Sequence, residues 1–304
     1  MTPTAPVVVI GDALIDEIRD ARGVRELVGG AALNVAVGLR RLGHDAVLLA
    51  MVGSDAAGTR IRTYLADHRV PLLETPAPHG SARAIVTWSD AGEPRYEFNA
   101  ASRGRGIRYP AEARAAIAAA PLVVVSCFPF DVPEEVTALR EAVGAARLVV
   151  DANPRAGMMR DGAEFVRGME AVVEGAVVKV SAEDAALLYD AGLDVATGRL
   201  LSLGAELVIA TAGAAGSTLS WRGRAVWAPA ADLPGPIIDT VGAGDAVTAA
   251  VTAALVSGEE SDAATRQALL DRAMAIAAAT CRGEGGLLRT PESLMREAPG
   301  RSGS

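Results

Sequence analysis

The run Asp239-Thr240-Val241-Gly242-Ala243-Gly244-Asp245-Ala246 holds residue types that suit phosphate chemistry. It leads into an Ala/Val-rich stretch that reads as a helix over about Ala243–Val256. Small residues let a backbone approach a ligand closely. At a helix N-terminus the amides of Gly242, Ala243 and Gly244 can face an anion, where the helix dipole also favours negative charge. Asp245, in the first turn, has two readings. It is a carboxylate that only complements the dipole, or it is a base beside the phosphate site. The Lys-Ser/Thr pair of a P-loop is missing here, so that class of phosphate site is not supported.

A second run, Gly29-Gly30-Ala31-Ala32-Leu33-Asn34-Val35-Ala36, places a glycine pair before another helix, Ala31–Leu42, which stops at Gly43. Asn34 lies one turn in. Its carboxamide can donate to and accept from a ligand hydroxyl, or be satisfied by the local backbone.

These segments need a frame to bring them together. Short β-branched runs alternate with Ala/Leu-rich runs at helical spacing. Val7–Ile10, Ala46–Val52, Leu122–Val125, Leu148–Val150, Val177–Val180 and Leu207–Ala210 read as buried strands. A helix capped at Ser54/Asp55 and running to His68, with Pro133–Val143, Ala163–Val173 and Ser181–Tyr189, reads as the connecting helices. The alternation predicts a three-layer α/β fold, a mostly parallel central sheet with helices on both faces. Three stretches break the rhythm. Arg25–Val28 reads as a short strand out of plane, and Ser81–Ser89 with Pro94–Asn99 as a hairpin around Asp90-Ala91-Gly92-Glu93. Ser217–Trp221 and Ala225–Trp227 form a further hairpin pattern, and a last Ala-rich helix covers Ala263–Cys281.

Composition limits the partners. The chain has 304 residues, 50% of them hydrophobic but only 4% aromatic, so Ala, Val and Leu must build the core. The formal net charge is -8 and no long basic run occurs, which argues against nucleic acid or an anionic membrane as the main partner. No apolar stretch is long enough to span a bilayer, and the N-terminus lacks a secretory leader, so a cytoplasmic location is expected. Cys127 and Cys281 sit in apolar surroundings and read as two buried thiols. No CxxC pair suggests zinc or redox work.

Taken together, the two glycine-rich segments resemble the paired signatures of the ribokinase-like (PfkB) carbohydrate kinases. They lie about 210 residues apart, which also matches. Val52-Gly53-Ser54-Asp55-Ala56-Ala57-Gly58 resembles that family's Gly-x-Asp-x-x-Gly turn. Asp151-Ala152-Asn153-Pro154-Arg155 resembles its Asp-x-Asn-x-Arg, and Thr211-Ala212-Gly213-Ala214-Ala215-Gly216 its nucleotide loop. The likeness runs from about Val7 to Pro291.

The resemblance implies an ATP-dependent sugar kinase with Mg2+ and a potassium ion. Asp245 would be the base, and Gly242, Ala243 and Gly244 the anion hole. Asp12, Asp16, Gly30, Asn34, Asn99 and Arg155 would bind the sugar. Lys179, Ser181, Thr211, Gly213 and Gly216, with Gly242 and Gly244, would line the nucleotide. Potassium would sit on carbonyls around Asp239 and Val241. One domain, 1–304, is implied, with a lid from about 12–29 and 81–109, a homodimer through the lids, and a disordered tail at 298–304.

The chain departs from the pattern where the family carries Asn-x-x-Glu. Here Ser181-Ala182-Glu183-Asp184 stands instead; Asp184, one methylene shorter, keeps the magnesium-linked carboxylate in register, and Glu183 is the neighbour that could substitute. Gly29-Gly30-Ala31 and Gly11-Asp12-Ala13-Leu14-Ile15-Asp16 look closest to the fructokinase and 2-keto-3-deoxygluconate kinase branch, with fructose favoured. Ribose, a nucleoside or 2-keto-3-deoxygluconate is the alternative acceptor. A binding protein that has lost catalysis is a different class, and intact Asp245 argues against it. A dinucleotide-dependent dehydrogenase would place Gly-x-Gly-x-x-Gly after the first strand, where it is missing.

If Asp16 binds sugar hydroxyls, Asp16→Ala removes a charge-assisted acceptor and lowers kcat/KM for the sugar about 10- to 150-fold. KM for ATP should barely move. Steady-state kinetics check this, and unchanged sugar kinetics would place Asp16 outside the site.

Overall fold

The computed structural model describes residues 5–20, 23–88, 94–259 and 262–297. In chain order its strands are β1 (Val7–Gly11), β2 (Leu14–Asp20), β3 (Gly23–Gly29), β4 (Ala46–Met51), β5 (Leu72–Thr75), β6 (Ala82–Trp88), β7 (Pro94–Phe98), β8 (Val123–Ser126), β9 (Leu148–Asp151), β10 (Val177–Ser181), β11 (Leu207–Thr211), β12 (Ser217–Trp221) and β13 (Arg224–Ala228). Nine of them make one sheet in the order β13-β12-β11-β10-β9-β8-β1-β4-β5. From β11 to β5 the neighbours run parallel; β12 and β13 join antiparallel at one edge.

Strand periodicity builds the two cores. Alternate side chains of a strand leave opposite faces. Val7 and Val9 therefore join the cluster that holds Val35, Leu39, Ile61 and Leu270, from the helices Ala31–Arg41, Ala56–Asp67 and Ala263–Thr280. Val8 and Ile10 join the other, with Ile117, Leu139 and Phe165 from Ala111–Ala119, Pro133–Val143 and Gly162–Glu170. Both faces are covered, which is why the central strands read as unbroken Val/Ile/Leu runs. The helix Ala243–Ser257 is buried along nearly its whole length. Alanine and valine are small enough to let it lie between the helices Ala31–Arg41 and Ala263–Thr280, against β9.

The remaining strands form a small sheet in the order β3-β2-β6-β7. β2 pairs antiparallel with β3 and parallel with β6, and β6 pairs antiparallel with β7. The two segments assigned to a lid are thus joined by hydrogen bonds, although the turn Asp90–Glu93 falls outside the described residues. The strand expected at Arg25–Val28 extends to seven residues, and its partner β2 was not anticipated. Asp16, Glu17, Arg19 and Asp20 mask the strand pattern of β2.

The short strand β5 and the helices Ala111–Ala119, Leu193–Ser202 and Pro291–Glu297 were also not anticipated. Cys127 is buried as expected, but Cys281 is only half-buried. It occupies the C-cap of Ala263–Thr280, where the chain turns away from the helix. The expected tail at 298–304 lies outside the described residues.

Candidate active site

The parallel strands of the large sheet point their carboxyl ends to one edge, the usual place for ligands in open α/β sheets. Their register puts Gly11 beside Ser126, Ser126 beside Asp151, and Asp151 beside Lys179. One strand further on, Ser181 lies beside Thr211. The first turns of the helices Ala31–Arg41 and Ala243–Ser257 meet above this row. There Asn34 Nδ2 donates to Asp245 Oδ2 at 2.8 Å, a buried bond between residues far apart in the chain.

A pocket of about 90 Å³ opens at this meeting point. Asp12, Asp16, Gly30, Asn34, Arg155 and Asp245 all line it, with Leu14, Ala84, Tyr96 and Phe98 from the small sheet closing one side. Asp16, Ala84 and Phe98 are neighbours across β2, β6 and β7, so the small sheet turns one mixed row toward the pocket. Gly30 sits at φ 112°, and a Cβ there would come within 2.8 Å of the Asp12 carbonyl oxygen. That close approach fixes Asp12, whose Oδ1 accepts from the Ala32 amide at 3.1 Å.

Asn99 lies outside this lining. It caps the short helix Ala100–Arg103, accepting from Ser102 N, and its Nδ2 donates to the Ser81 carbonyl at 2.9 Å. Its carboxamide is thereby committed to the edge of β6.

The helix Ala243–Ser257 begins at Gly242 with no side-chain cap, a start suited to receive an anion. The Ala243 amide turns back to the Thr240 carbonyl at 3.3 Å. Asp239 holds the approach: its Oδ1 accepts from Val241 N and its Oδ2 from Gly285 N, each at 3.0 Å. Gly242 has φ 79°, and a Cβ there would lie 2.5 Å from Gly286 Cα. A Cβ on Gly286 would in turn fall 2.2 Å from Asn34 Nδ2. The loop Gly283-Glu284-Gly285-Gly286 is therefore the floor on which both signatures rest. The sequence reading did not single it out, although three glycines in four residues after a long helix were a usable signal.

Beneath the helix start is a buried ionic cluster. Lys179 Nζ lies 3.2 Å from Asp151 Oδ1 and 3.7 Å from Asp184 Oδ2, and Thr248 Oγ1 donates to Asp151 Oδ2 at 3.2 Å. Asp184 and Ser181 form a capping box, the carboxylate accepting from Ser181 N at 2.8 Å. Thr211, Gly213 and Gly216 follow at the end of β11. There Gly216, at φ 95°, would bring a Cβ to 2.3 Å from the Ala228 carbonyl oxygen.

Burial, then the charge of Asp151, pushes the Asp245 carboxyl up to about 7 against the Asn34 bond and the cations Lys179 and Arg155. Burial and neighbouring Asp12 raise Asp16 to about 6. A carboxyl poised near neutrality beside an uncapped helix start is suited to take a proton from a ligand hydroxyl while an anion sits on the amides.

Comparison with known proteins follows the same line. A family model described as pfkB family carbohydrate kinase matches residues 4–292. The chain is 30% identical to a fructokinase of Klebsiella pneumoniae over 261 residues, covering 82% of this chain and 84% of that one. It is 27% identical to a fructokinase of Salmonella typhimurium over 301 residues, covering 94% and 96%. The crystal structure of a fructokinase from Xylella fastidiosa with bound ATP superposes with a TM-score of 0.82 at 20% identity, covering 96% and 98%, a likeness of fold.

Two outcomes are expected. Gly286→Ala should displace Asn34, break its bond to Asp245 and lower kcat/KM at least about 10-fold. Asn34→Ala should cost a similar factor, and the double variant little more, because both act through one contact. Full multiplication of the two losses in steady-state assays would separate them.

The second outcome concerns pH. The folded pKa of Asp245 lies above its ordinary 3.8, so the native state keeps a proton that the unfolded chain has released. That stabilisation is present in acid and lost as pH rises through about 7. Asp245→Asn cannot titrate, so its melting temperature relative to wild type should rise between pH 5 and 8. A constant difference in thermal melts would contradict the shift.

Proposed function

The chain belongs to the pfkB family of carbohydrate kinases, and from that premise we propose that it transfers the γ-phosphoryl group of ATP to a hydroxyl of a small sugar, with fructose the favoured acceptor. The observation that carries this reading is the pocket in which Asp12, Asp16, Asn34 and Asp245 converge beside the uncapped start of Ala243–Ser257. The acceptor preference rests on the fructokinases among the relatives.

In this reading Asp245 takes the proton of the sugar hydroxyl. The oxygen then forms a bond to the γ-phosphorus as the bond from phosphorus to the β–γ bridging oxygen breaks, and ADP leaves with that electron pair. Asn34 holds the carboxylate in line. Asp12, Asp16 and Arg155 orient the sugar, which turns an encounter into a positioned attack. The amides at the helix start face the charge that builds on the transferring group. Lys179, Ser181, Thr211, Gly213 and Gly216 follow the nucleotide along the sheet edge.

Mg2+ would enter with the phosphates, as it commonly does. Among the described residues no group of three or more His, Cys, Asp or Glu side chains forms a metal cage. The Asp184 carboxylate already serves Ser181 N and Lys179, and would contribute negative charge near the ion. A potassium ion on carbonyls near Asp239 and Val241 would steady the turn that Asp239 folds. The small sheet would act as the lid that keeps water from the phosphate, and pairing of two such sheets would make a homodimer. No described helix is long and apolar enough to cross a membrane, and a kinase fed by ATP fits the cytoplasm.

Incubation with ATP, Mg2+ and a sugar panel tests the reading. Fructose should show a higher kcat/KM than ribose, adenosine or fructose 6-phosphate. A tenfold win for ribose or a nucleoside would move the acceptor and keep the kinase. Asp245→Asn should lose about 10²- to 10⁴-fold in kcat while still binding sugar and ATP. Near-normal turnover by the folded variant would remove Asp245 from the base role.

The free enzyme's kcat/KM should fall about tenfold per pH unit below an apparent pKa near 7, since only the ionised carboxyl accepts a proton. A flat profile from pH 5 to 8 would rule that out.

A further inference from the structure

Beside Asp12 the sugar pocket has a neighbour. A chamber of about 20 Å³ shares Asp12, Leu14, Cys127 and Met158 with it, but Asp245 is not part of its wall. Asp12 stands in both walls, so the chamber adjoins the pocket at Asp12. About 10–15 Å³ admits one water-sized group, so this chamber has room for a single oxygen. Its walls are mostly apolar, and Arg105 is the one cation among its lining residues.

Arg105 is held rigidly by its flanks. On one side Ser102 Oγ donates to the Arg83 carbonyl at 2.9 Å and accepts from Arg83 N at 3.0 Å. On the other, Ile107 N donates to Glu135 Oε2 at 2.8 Å, and a Cβ on Gly106 would meet the same carboxylate at 2.7 Å. The guanidinium donates once to the Ser102 carbonyl, at 3.2 Å. Its Nε is buried, and no atom of the described residues accepts from it.

A buried guanidinium N–H without an acceptor is unfavourable, and proteins rarely leave one so. The charge of Arg105 reaches Asp12, where with Arg155 it opposes the rise that burial imposes on the carboxyl. Cys127 also lines the chamber, a non-glycine residue at φ 50° whose thiol bonds to Asp12. A left-handed backbone is unfavourable for a side chain with a Cβ, so Cys127 is held in an uncommon conformation where the two cavities share it.

We infer that Arg105 is a specificity-determining residue, donating from Nε to an oxygen on the sugar carbon farthest from the phosphorylated hydroxyl. This rests on the sugar-kinase reading above. The acceptor class is a chain sugar or ketose whose far terminal carbon carries a hydroxyl oxygen. A terminal methyl in its place would leave Nε unmatched.

The test uses the full-length protein. The product of the preferred sugar first identifies the phosphorylated carbon. For fructose, the analogue lacking the opposite terminal hydroxyl is 1-deoxyfructose if phosphate is found at O6, and 6-deoxyfructose if at O1. Wild type should prefer fructose over that analogue by about 10- to 150-fold in kcat/KM, the worth of one charge-assisted bond. In Arg105→Met the preference should collapse toward unity, mainly through a higher KM for fructose, with KM for ATP unchanged. A merely structural role would instead lower both sugars by one factor and keep the ratio.

Arg105→Lys keeps the charge and chain length but not the Nε donor, and should lose the preference as well. It serves if the Met variant does not fold. Wild type that treats both sugars alike overturns the inference alone, as does a folded variant that keeps the preference. No turnover of any sugar overturns the parent reading and this inference with it.

Discussion

Everything at the carboxyl edge of the large sheet depends on one buried ammonium group. Asp151 is fully buried and Asp184 nearly so, and Lys179 Nζ lies between them. Carboxylates taken out of water without a cation would take up protons or drive the chain apart. Lys179 answers both and is held charged, since Asp151, Asp184 and Asp245, with the bond to Asp151, together outweigh the effect of its burial. The same ammonium would sit 3.1 Å from a Cβ on Gly244. A side chain there would press on the cation, so the glycine lets the helix start settle directly over the cluster. Thr248, one turn further along, bonds both to Asp151 and to the Gly244 carbonyl and ties the helix to β9. The uncapped helix start thus rests on a cluster of one cation and two carboxyl groups.

The layered α/β plan was legible because buried parallel strands cannot hide. Ala46–Val52 and Leu122–Val125 are apolar on both faces, and each is followed by a helical period. The two ends of the site were legible as glycine-rich helix starts, and Asn34 and Asp245 do meet. What escaped has physical reasons. β2 carries four charged residues because only one of its faces is covered. The loop 283–286 has no side chain to announce it beyond Glu284, and its role is to leave room. Arg105 carries no local signal, since its importance comes from Asp12 and Cys127, distant in sequence and near in space. Asn99 shows the converse: an amide next to a lid strand looked like a ligand group and is spent on a helix cap and a strand edge.

The small sheet is tied to the body by charge more than by a core of its own. Arg83 reaches Glu17 and Glu26, joining β6 to β2 and β3. Arg60, on the helix Ala56–Asp67, reaches Glu26 as well, and Arg25 pairs with Glu284 on the glycine loop. Arg60, Arg25 and Glu284 are exposed while Arg83, Glu17 and Glu26 are partly buried, and pairs with exposed members are individually weak and weakened further by salt. They orient the sheet over the pocket without locking it there.

The parallel pairing of β2 with β6 has a consequence for how the chain folds. Leu14 opposes Ala82, and between them the chain makes β3, two helices and two strands of the large sheet. A parallel pair so far apart in sequence must bear the entropy of closing that whole loop. The buried apolar cluster that rewards closure is only Leu14, Ala82 and Ala84, with Phe98 against it. The small sheet therefore cannot nucleate by itself. During synthesis β2 waits, unpaired on its β6 side, until Trp88 has left the ribosome and the large sheet has drawn both ends together. An element closed late and held by so small an apolar cluster is of the kind that opens locally while the rest of a fold stays intact.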